Sequence, residues 1–290
     1  MRNLARSGLP WLAPGILFLA LIDLFPLAYA LVISLYAWWL VRPSEIRFVG
    51  LQNYAGMLRD ALLHHDTIVS ATFMLGAVSV ELVVGFALAV FFAQRTRIFD
   101  IIRPVLLLPL FITPVVSATM WRLMFHPDLG IVNYYLREIG VGSPPWLSHP
   151  ALAMTALILL DAWRTIPFVF LVLHAGIISL PHELFEAALV DGATSWQTFR
   201  YLTLPLLRYI ILVAVLIRAM DAFREFDIFY IVTAGGPGTA TETLQMLNYR
   251  VFGYGRVGLA SSLSTLTLVL VAIISLMLLR LMAREAPTSA

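Results

Sequence analysis

Long apolar stretches alternate with polar loops along the whole 290-residue sequence. A helix needs about 20 mostly apolar residues to cross a membrane. Stretches of that length cover residues 11–36, 68–93, 104–125, 151–178, 209–234 and 259–279. The pattern therefore predicts an all-α, polytopic membrane protein, in which residues 1–290 form a single domain with six transmembrane helices.

Composition narrows the class of protein further. Of the residues, 60% are hydrophobic and 12% are charged, whereas soluble domains carry about 25% charged residues. A soluble enzyme, a disordered protein and a nucleic-acid binder are thereby excluded. The net charge of +2 is too small for a polyanion-binding surface. The sequence contains no Cys, so it offers no disulfide and no thiolate ligand for a metal.

The distribution of Arg predicts the orientation in the membrane, because positive residues favour cytoplasmic loops. With the N-terminus inside, the cytoplasmic segments hold nine Arg, at positions 2, 6, 95, 97, 103, 200, 208, 280 and 284. The outside loops hold six, at positions 42, 47, 59, 137, 250 and 256. Both termini are therefore predicted to be cytoplasmic.

Between the fourth and fifth predicted spans, residues 180–205 carry the signals of a short helix, a break and a second helix. Pro181 suits the first turn of a helix, and Gly192 allows the chain to turn. Thr194 or Ser195 can cap the second helix. Pro205 is predicted to restart the chain into the membrane.

The first helix of this loop has an apolar face at helical spacing, made by Leu184, Phe185, Ala188 and Leu189. A short helix held at a fixed place beside the membrane can insert into a groove of a partner protein. It can equally be part of a surface hairpin that only connects two spans. The spacing alone does not distinguish these two interpretations.

Ionisable residues concentrate in the fourth and fifth predicted spans. They are Asp161 and Arg164 in the fourth, and Arg218, Asp221, Arg224, Glu225 and Asp227 in the fifth. Such residues are costly at membrane depth and normally face a wet cavity or a partner. Positions 161, 164, 165 and 168 share one helical face, as do positions 218, 221, 222 and 225.

Two interpretations of these charges remain open. They can line a polar path, or they can form the internal pairs Asp161–Arg164, Arg218–Asp221 and Arg224–Asp227 that stabilise a bundle or a subunit interface. Arg224 and Asp227, nearer the outer end, are predicted to be structural or to contact a binding protein. Asp23 and Glu81, in the first two spans, are predicted to be packing or subunit-interface groups.

Several motifs resemble one family. The run Glu186-Ala187-Ala188, then Gly192, then Leu202-x-Leu204-Pro205 resembles the EAA loop of ABC-importer permeases. Residues 48–54, 121–133 and 233–238 resemble segments of the carbohydrate-uptake members of that family. The resemblance extends over nearly the whole chain and indicates the maltose, trehalose and glycerol-phosphate type, in a bacterial inner membrane.

The resemblance implies a set of partners. A second homologous permease chain would complete the path, two ATP-hydrolysing subunits would sit beneath, and an extracytoplasmic solute-binding protein would deliver a sugar, glycoside or polyol. This chain is not expected to be an enzyme or to bind a cofactor, with ATP and Mg²⁺ held by the ATPase subunits. Its own sequence has no Lys for a phosphate-binding P-loop.

The resemblance also implies roles for individual residues. ATPase coupling is expected from Glu183, Glu186, Ala187, Ala188, Asp191 and Gly192. The substrate path is expected to involve Asp161, Arg164, Thr165, Phe168, Arg218, Asp221, Ala222 and Glu225. No catalytic residue and no metal ligand is predicted.

Two other functions compete with this hypothesis. An ion-coupled secondary transporter would use Asp161, Asp221 or Glu225 as a proton or sodium site, but it leaves the EAA-like loop unexplained. A membrane enzyme would need a nucleophile with its base, or metal ligands, at one depth. The sequence offers neither set.

Overall fold

The computed structural model describes residues 9–93 and 97–285, and helices make up almost all of the regular structure in this part of the chain. The α-helices are α1 (Leu9–Leu19), α2 (Phe25–Ile33), α3 (Gln52–Met57), α4 (Ala61–Phe91), α5 (Arg97–Leu107), α6 (Pro114–Met124), α7 (Ile131–Glu138), α8 (Pro150–Ile178), α9 (His182–Val190), α10 (Ser195–Thr198), α11 (Leu204–Phe223), α12 (Asp227–Val232), α13 (Leu244–Gly253) and α14 (Val257–Glu285). Two short strands, β1 (Tyr36–Ala37) and β2 (Arg47–Phe48), pair antiparallel.

Five helical runs in the described residues are long and apolar enough to cross a membrane, and a bent pair of helices brings the number to six. The five are Trp11–Ile33, Ala61–Phe91, Pro150–Ile178, Ser195–Phe223 and Val257–Ala283, and the bent pair is Ile101–Phe111 with Pro114–Met124. The prediction of an all-α, polytopic membrane protein is confirmed.

The third predicted span is not one straight helix, because its two halves are bent by 97°. The helix tightens into a 3₁₀ turn at Leu108–Phe111, and Thr113 is extended before Pro114. A residue that precedes proline is pushed out of the helical region by the proline ring. The bend therefore follows from Pro114 acting on Thr113, a local effect that the hydrophobic pattern does not contain.

The fifth apolar helical run begins earlier and ends earlier than residues 209–234. It starts with α10 at Ser195, continues through a π-helical segment (Phe199–Thr203) and α11, and ends at Phe223. Pro205 does not restart the chain, since it occupies the second position of α11 directly after the π segment. The wider π turn accommodates a proline, which lacks an N–H and crowds the preceding turn.

The chain divides into two compact units, of which the first takes Met1–His64 and Leu247–Leu270. In this unit Asn53 donates from Nδ2 to the carbonyls of Ser34 (2.8 Å) and Tyr36 (3.1 Å). The Tyr54 hydroxyl lies 2.6 Å from the Ser34 hydroxyl. Residues 48–54, singled out in the sequence, therefore hold the end of α2 in place.

The second unit takes His65–Met246 and Val271–Ala290, and α8 is its most buried membrane-length helix. Glycines let helices approach α8 closely: a Cβ on Gly85 of α4 would lie 2.8 Å from Cγ1 of Val169. A Cβ on Gly176 would lie 2.8 Å from Cδ1 of Ile210 in α11. Small residues at such contacts are typical of helix packing in membranes. Both α4 and α11 are thus brought against α8.

Candidate substrate pocket and hairpin

A buried ion pair joins α4 to α11 at the centre of the candidate site. Arg218 donates from Nε to Oε2 of Glu81 at 2.6 Å and from Nη2 to Oε1 of Glu81 at 3.0 Å. The Glu81 side chain is fully buried and that of Arg218 is 5% exposed. This two-pronged contact fixes the plane of the guanidinium, because two parallel hydrogen bonds leave it little freedom.

Asp161 of α8 lies between two arginines. Its Oδ2 accepts a hydrogen bond from Nη2 of Arg218 at 2.8 Å, and its Oδ1 accepts one from Nη2 of Arg164 at 2.8 Å. Arg164 also donates from Nη2 to Oε2 of Glu225 at 3.1 Å. Glu81, Asp161, Arg164, Arg218 and Glu225 therefore form one connected group, here called the ion cluster.

Thr165, one helical turn from Asp161, supports the ion cluster from the side of α8. Its hydroxyl lies 2.7 Å from Oε1 of Glu81 and 2.6 Å from the backbone carbonyl of Asp161. A hydroxyl has one proton to donate, so it serves one of these oxygens at a time. The contact ties the α4 carboxylate to α8 as well as to α11.

The ion cluster has more negative than positive groups, with three carboxylates against two guanidiniums. Removing a charge from water is costly, and the cost is recovered only when each charge is well paired and hydrogen-bonded. Glu81 and Asp161 meet that requirement through Arg218. The cluster therefore depends on Arg218 as the cation that both fully buried acids share.

One side of the ion cluster opens into a pocket of about 400 Å³. The pocket is lined by Arg164, Arg218, Asp221, Arg224, Glu225 and Asp227, together with Pro114 and Phe226. Glu81 and Asp161 do not line it and lie behind Arg218. The pocket wall thus carries both donors and acceptors, which suits hydroxyl groups.

The structure brings together most of the residues expected on the substrate path. Arg164, Arg218, Asp221 and Glu225 line the pocket, and Asp161 and Thr165 stand behind the wall. Ala222 packs in the hydrophobic core, and Phe168 packs against a second apolar cluster. The pocket also includes Arg224 and Asp227, which the sequence assigned to structural or binding-protein contacts.

The internal pairs and the polar lining occur together. Asp161 and Arg164 are bonded, and Nη1 of Arg218 lies 3.9 Å from Oδ2 of Asp221. Arg224 pairs with Asp221 at 3.3 Å, although its predicted partner was Asp227. Apart from Asp161, the paired charges therefore also line the pocket.

Glu81 has an ion-pair partner, Arg218, that the sequence does not predict. The sequence predicts a packing or subunit-interface group, and the structure buries Glu81 inside this chain against the pocket residue Arg218. One signal was available, namely that an acid within a long apolar helix needs a partner. The identity of that partner, 137 positions further along the chain, was not readable.

Residues 182–198 form the α9–α10 hairpin, with the predicted helix, break and second helix. The first helix ends in two backbone hydrogen bonds. The Ala193 N–H donates to the Ala188 carbonyl, and the Gly192 N–H donates to the Leu189 carbonyl. This arrangement is a Schellman motif, and it requires the left-handed conformation that Gly192 adopts, with φ +73°. Thr194 caps α10, and its side chain forms a reciprocal capping box with Gln197.

The hairpin leaves apolar side chains uncovered. Leu184, Leu189 and Val190 are exposed by 41%, 72% and 87%, and Phe185 and Ala188 are half-buried. Among the residues expected to couple to an ATPase, Ala188 is half-buried and the other five, Glu183, Glu186, Ala187, Asp191 and Gly192, are exposed. The first helix of the hairpin therefore offers both acidic and apolar groups to its surroundings.

The chain belongs to the family of binding-protein-dependent transport system inner membrane components, whose family model matches residues 81–285. It is a multi-pass membrane protein and a permease, the transport component of an ABC importer. This confirms the class of protein indicated by the EAA-like loop. It also sets aside the ion-coupled transporter and the membrane enzyme.

The chain is similar to individual sugar-transport permeases over most of their length. The chain is 38% identical over 227 residues to the trehalose/maltose transport system permease protein MalF of Thermococcus litoralis, covering 78% of this chain and 77% of the relative. It is 31% identical to the trehalose transport system permease protein SugA of Mycobacterium tuberculosis, covering 97% and 90% of the two chains. A solved chain of a bacterial alginate ABC transporter, in complex with its alginate-bound periplasmic protein, superposes with a TM-score of 0.84 at 21% identity. That match covers 100% of this chain and 99% of the other and is one of fold.

Proposed function

We propose that this chain forms half of the translocation path of an ATP-driven importer for a sugar, glycoside or polyol. A second homologous permease chain would supply the other half, because six helices cannot enclose such a substrate. Two ATP-hydrolysing subunits, which hold ATP and Mg²⁺, would drive transport, and a solute-binding protein would deliver the substrate. The exposed α9–α10 hairpin, lying within the region that matches the family, is the observation that carries this proposal.

The pocket and the relatives both support a sugar-like substrate. Trehalose and maltose permeases are among the related proteins. Sugars carry many hydroxyl groups, each of which donates one hydrogen bond and accepts others. The pocket supplies guanidiniums as donors and carboxylates as acceptors. In this proposal Arg164, Arg218, Asp221 and Glu225 contact the substrate. Asp161 holds the two arginines in place, and Thr165 supports Glu81 and α8 behind them.

The hairpin would dock on an ATPase subunit through α9. Its uncovered apolar residues suit a groove, as an amphipathic helix in a protein groove does. The proposed coupling residues are Glu183, Glu186, Ala187, Ala188, Asp191 and Gly192. Docking from the inner side requires the hairpin and both termini to be cytoplasmic, which agrees with the distribution of Arg.

The route from the hairpin to the pocket is a single helical run. α10, the π segment and α11 continue without interruption from Ser195 to Phe223, and Arg218 lies near the far end. At 1.5 Å per residue, Ser195 and Arg218 are separated by about 35 Å along the helix axis. A displacement of the hairpin would therefore move Arg218 directly, and two-state rocking of this helix would open the pocket to alternate sides.

Purification of the tagged chain from its native membranes in mild detergent, followed by mass spectrometry, tests the proposal. We expect an ATPase with Walker motifs and a second permease with an EAA loop to be recovered in amounts comparable to this chain. A binding protein recovered with them would then be screened against sugars by thermal shift. Recovery of the chain alone, or only with copies of itself, in several detergents would contradict the proposal.

A further inference from the structure

The pocket wall carries balanced charges, but the groups behind it do not. Three arginines and three acids line the pocket, so the lining is neutral. Glu81 and Asp161 lie directly behind and bond to Arg218. With every group ionised, the formal charge of the whole site is therefore −2. The N-terminus of α6 at Pro114 adds about half a positive charge, which does not offset this excess.

Glu225 has a distinct position among the acids of the pocket. Arg164 has two carboxylate partners in the described part of the chain, Asp161 and Glu225. Asp161 also pairs with Arg218. Glu225, in contrast, is paired with Arg164 and with no second arginine among the described ion pairs. The Glu225 side chain is 13% exposed and lies on the pocket wall. It therefore occupies the side of Arg164 that an anionic group entering the pocket would otherwise bind.

Asp221 pairs with the other two arginines of the pocket, Arg218 and Arg224. Its carboxylate lies 3.3 Å from Nη2 of Arg224 and 3.9 Å from Nη1 of Arg218. The Asp221 side chain is 50% exposed, so water screens its charge more than that of Glu225. The weaker and more exposed contact makes Asp221 the lesser contributor.

We infer that this pocket selects uncharged sugars over anionic ones, and that Glu225 is the specificity-determining residue, since it occupies Arg164 and adds negative charge to the wall. The inference rests on the proposed function and assigns a charge class to its substrate. A carboxylate or phosphate on the sugar meets like charge in the pocket, and like charges in a binding site oppose binding. A neutral hydroxyl at the same position meets a donor or an acceptor.

Direct binding to the purified full-length chain in its native complex tests the inference without transport. The probes are two matched pairs: trehalose with trehalose 6-phosphate, and methyl glucoside with methyl glucuronide. Affinity is read from intrinsic tryptophan fluorescence, and folding from the unfolding temperature without sugar. We expect the wild-type chain to bind each neutral probe at least about tenfold more tightly than its anionic partner.

Two variants and one control sharpen the result. In Glu225→Gln the ratio of neutral to anionic affinity is expected to fall at least about fivefold, because the anionic probe gains access to Arg164 and no longer meets the Glu225 charge. Glu138→Gln removes an exposed carboxylate of α7 that does not line the pocket and leaves the ratio unchanged. If Glu225→Gln does not fold, Asp221→Asn, which alters a half-exposed residue, is expected to reduce the preference in the same direction by about twofold.

The outcomes separate this inference from the proposed function. Equal binding of neutral and anionic probes by the wild-type chain would overturn the inference, as would an unchanged ratio in the folded Glu225→Gln variant. Both results would leave sugar transport standing. Failure of every probe to bind, with no ATPase recovered in the complex, would instead overturn the proposed function and the inference with it.

Discussion

The ion cluster and the α9–α10 hairpin are held together by contacts of very different range. Bonds that join helices within the ion cluster connect residues 57 to 137 positions apart in the chain. Bonds that shape the hairpin, such as those of Thr194 with Gln197 and of Ala193 with Ala188, connect residues no more than five positions apart. A change in the cluster should therefore affect the whole second unit, whereas a change in the hairpin should remain local.

The largest expected effect comes from removing the shared cation of the cluster. Arg218→Met leaves Glu81 and Asp161 buried without their common partner, and breaking a buried ion pair costs about 3–5 kcal/mol. We expect the solubilised variant to unfold at a clearly lower temperature and to yield little folded protein, as measured by fluorescence-detected size exclusion. Arg59→Ala, which changes an exposed arginine, is the control and should behave like the wild type. Unaltered stability of Arg218→Met would mean that the cluster is not a structural unit.

A smaller effect is expected at the turn of the hairpin. Gly192 has φ +73°, and a side chain in the left-handed region costs about 1–2 kcal/mol. Gly192→Ala should accelerate hydrogen exchange of the amides in residues 182–198 without lowering the global unfolding temperature. Gly140, which also has a positive φ but lies outside the hairpin, gives a matched control as Gly140→Ala. A fall in global stability for Gly192→Ala would contradict the local character of the hairpin.

The smallest effect is expected at the helix cap. Thr194→Ala removes the capping box of α10, and loss of such a cap costs about 1 kcal/mol. The backbone N–H of Gln197 donates to the Thr194 hydroxyl, so its rate of hydrogen exchange should increase several-fold in the Ala variant. Thr194→Ser keeps the hydroxyl and should restore protection. Equal exchange in the Ala and Ser variants would show that the hydroxyl does not cap the helix.

The same contrast of range explains what the sequence could predict. Pro181, Gly192 and Thr194 specify the hairpin through their own backbone preferences, so its two helices and the turn between them were readable. The apolar stretches likewise predicted the membrane class. The bend before Pro114 and the passage of the helix through Pro205 depend on single prolines within apolar runs. Hydropathy does not register these residues, and the bounds of the third and fifth helical runs differ accordingly.

The sequence predicts most of the charged residues of the candidate site, but it does not predict which of them form ion pairs. Arg164 of α8 and Arg218 and Asp221 of α11 do line one pocket, as helical periodicity predicts. However, Phe168 and Ala222 of the same predicted faces pack in apolar clusters, and Glu225 lies beyond the end of α11. The partner of Arg218 could not be found in this way, since Glu81 reaches it only through the packing of α4 against α8 and α11. Glycines such as Gly85, which lies against Val169, permit this close packing, and a single sequence does not reveal which helices they join.

We propose that the α9–α10 hairpin links ATP hydrolysis to movement of the pocket. The most direct test measures uptake and binding-protein-stimulated ATP hydrolysis in the same proteoliposomes, for the complex that contains the Glu186→Lys variant. Because this change reverses the charge of an exposed hairpin residue, we expect both rates to fall at least about tenfold. Glu138→Lys, the same change at an exposed position of α7, should retain both rates. Normal uptake together with normal stimulation in Glu186→Lys would show that the hairpin does not couple ATP hydrolysis to transport.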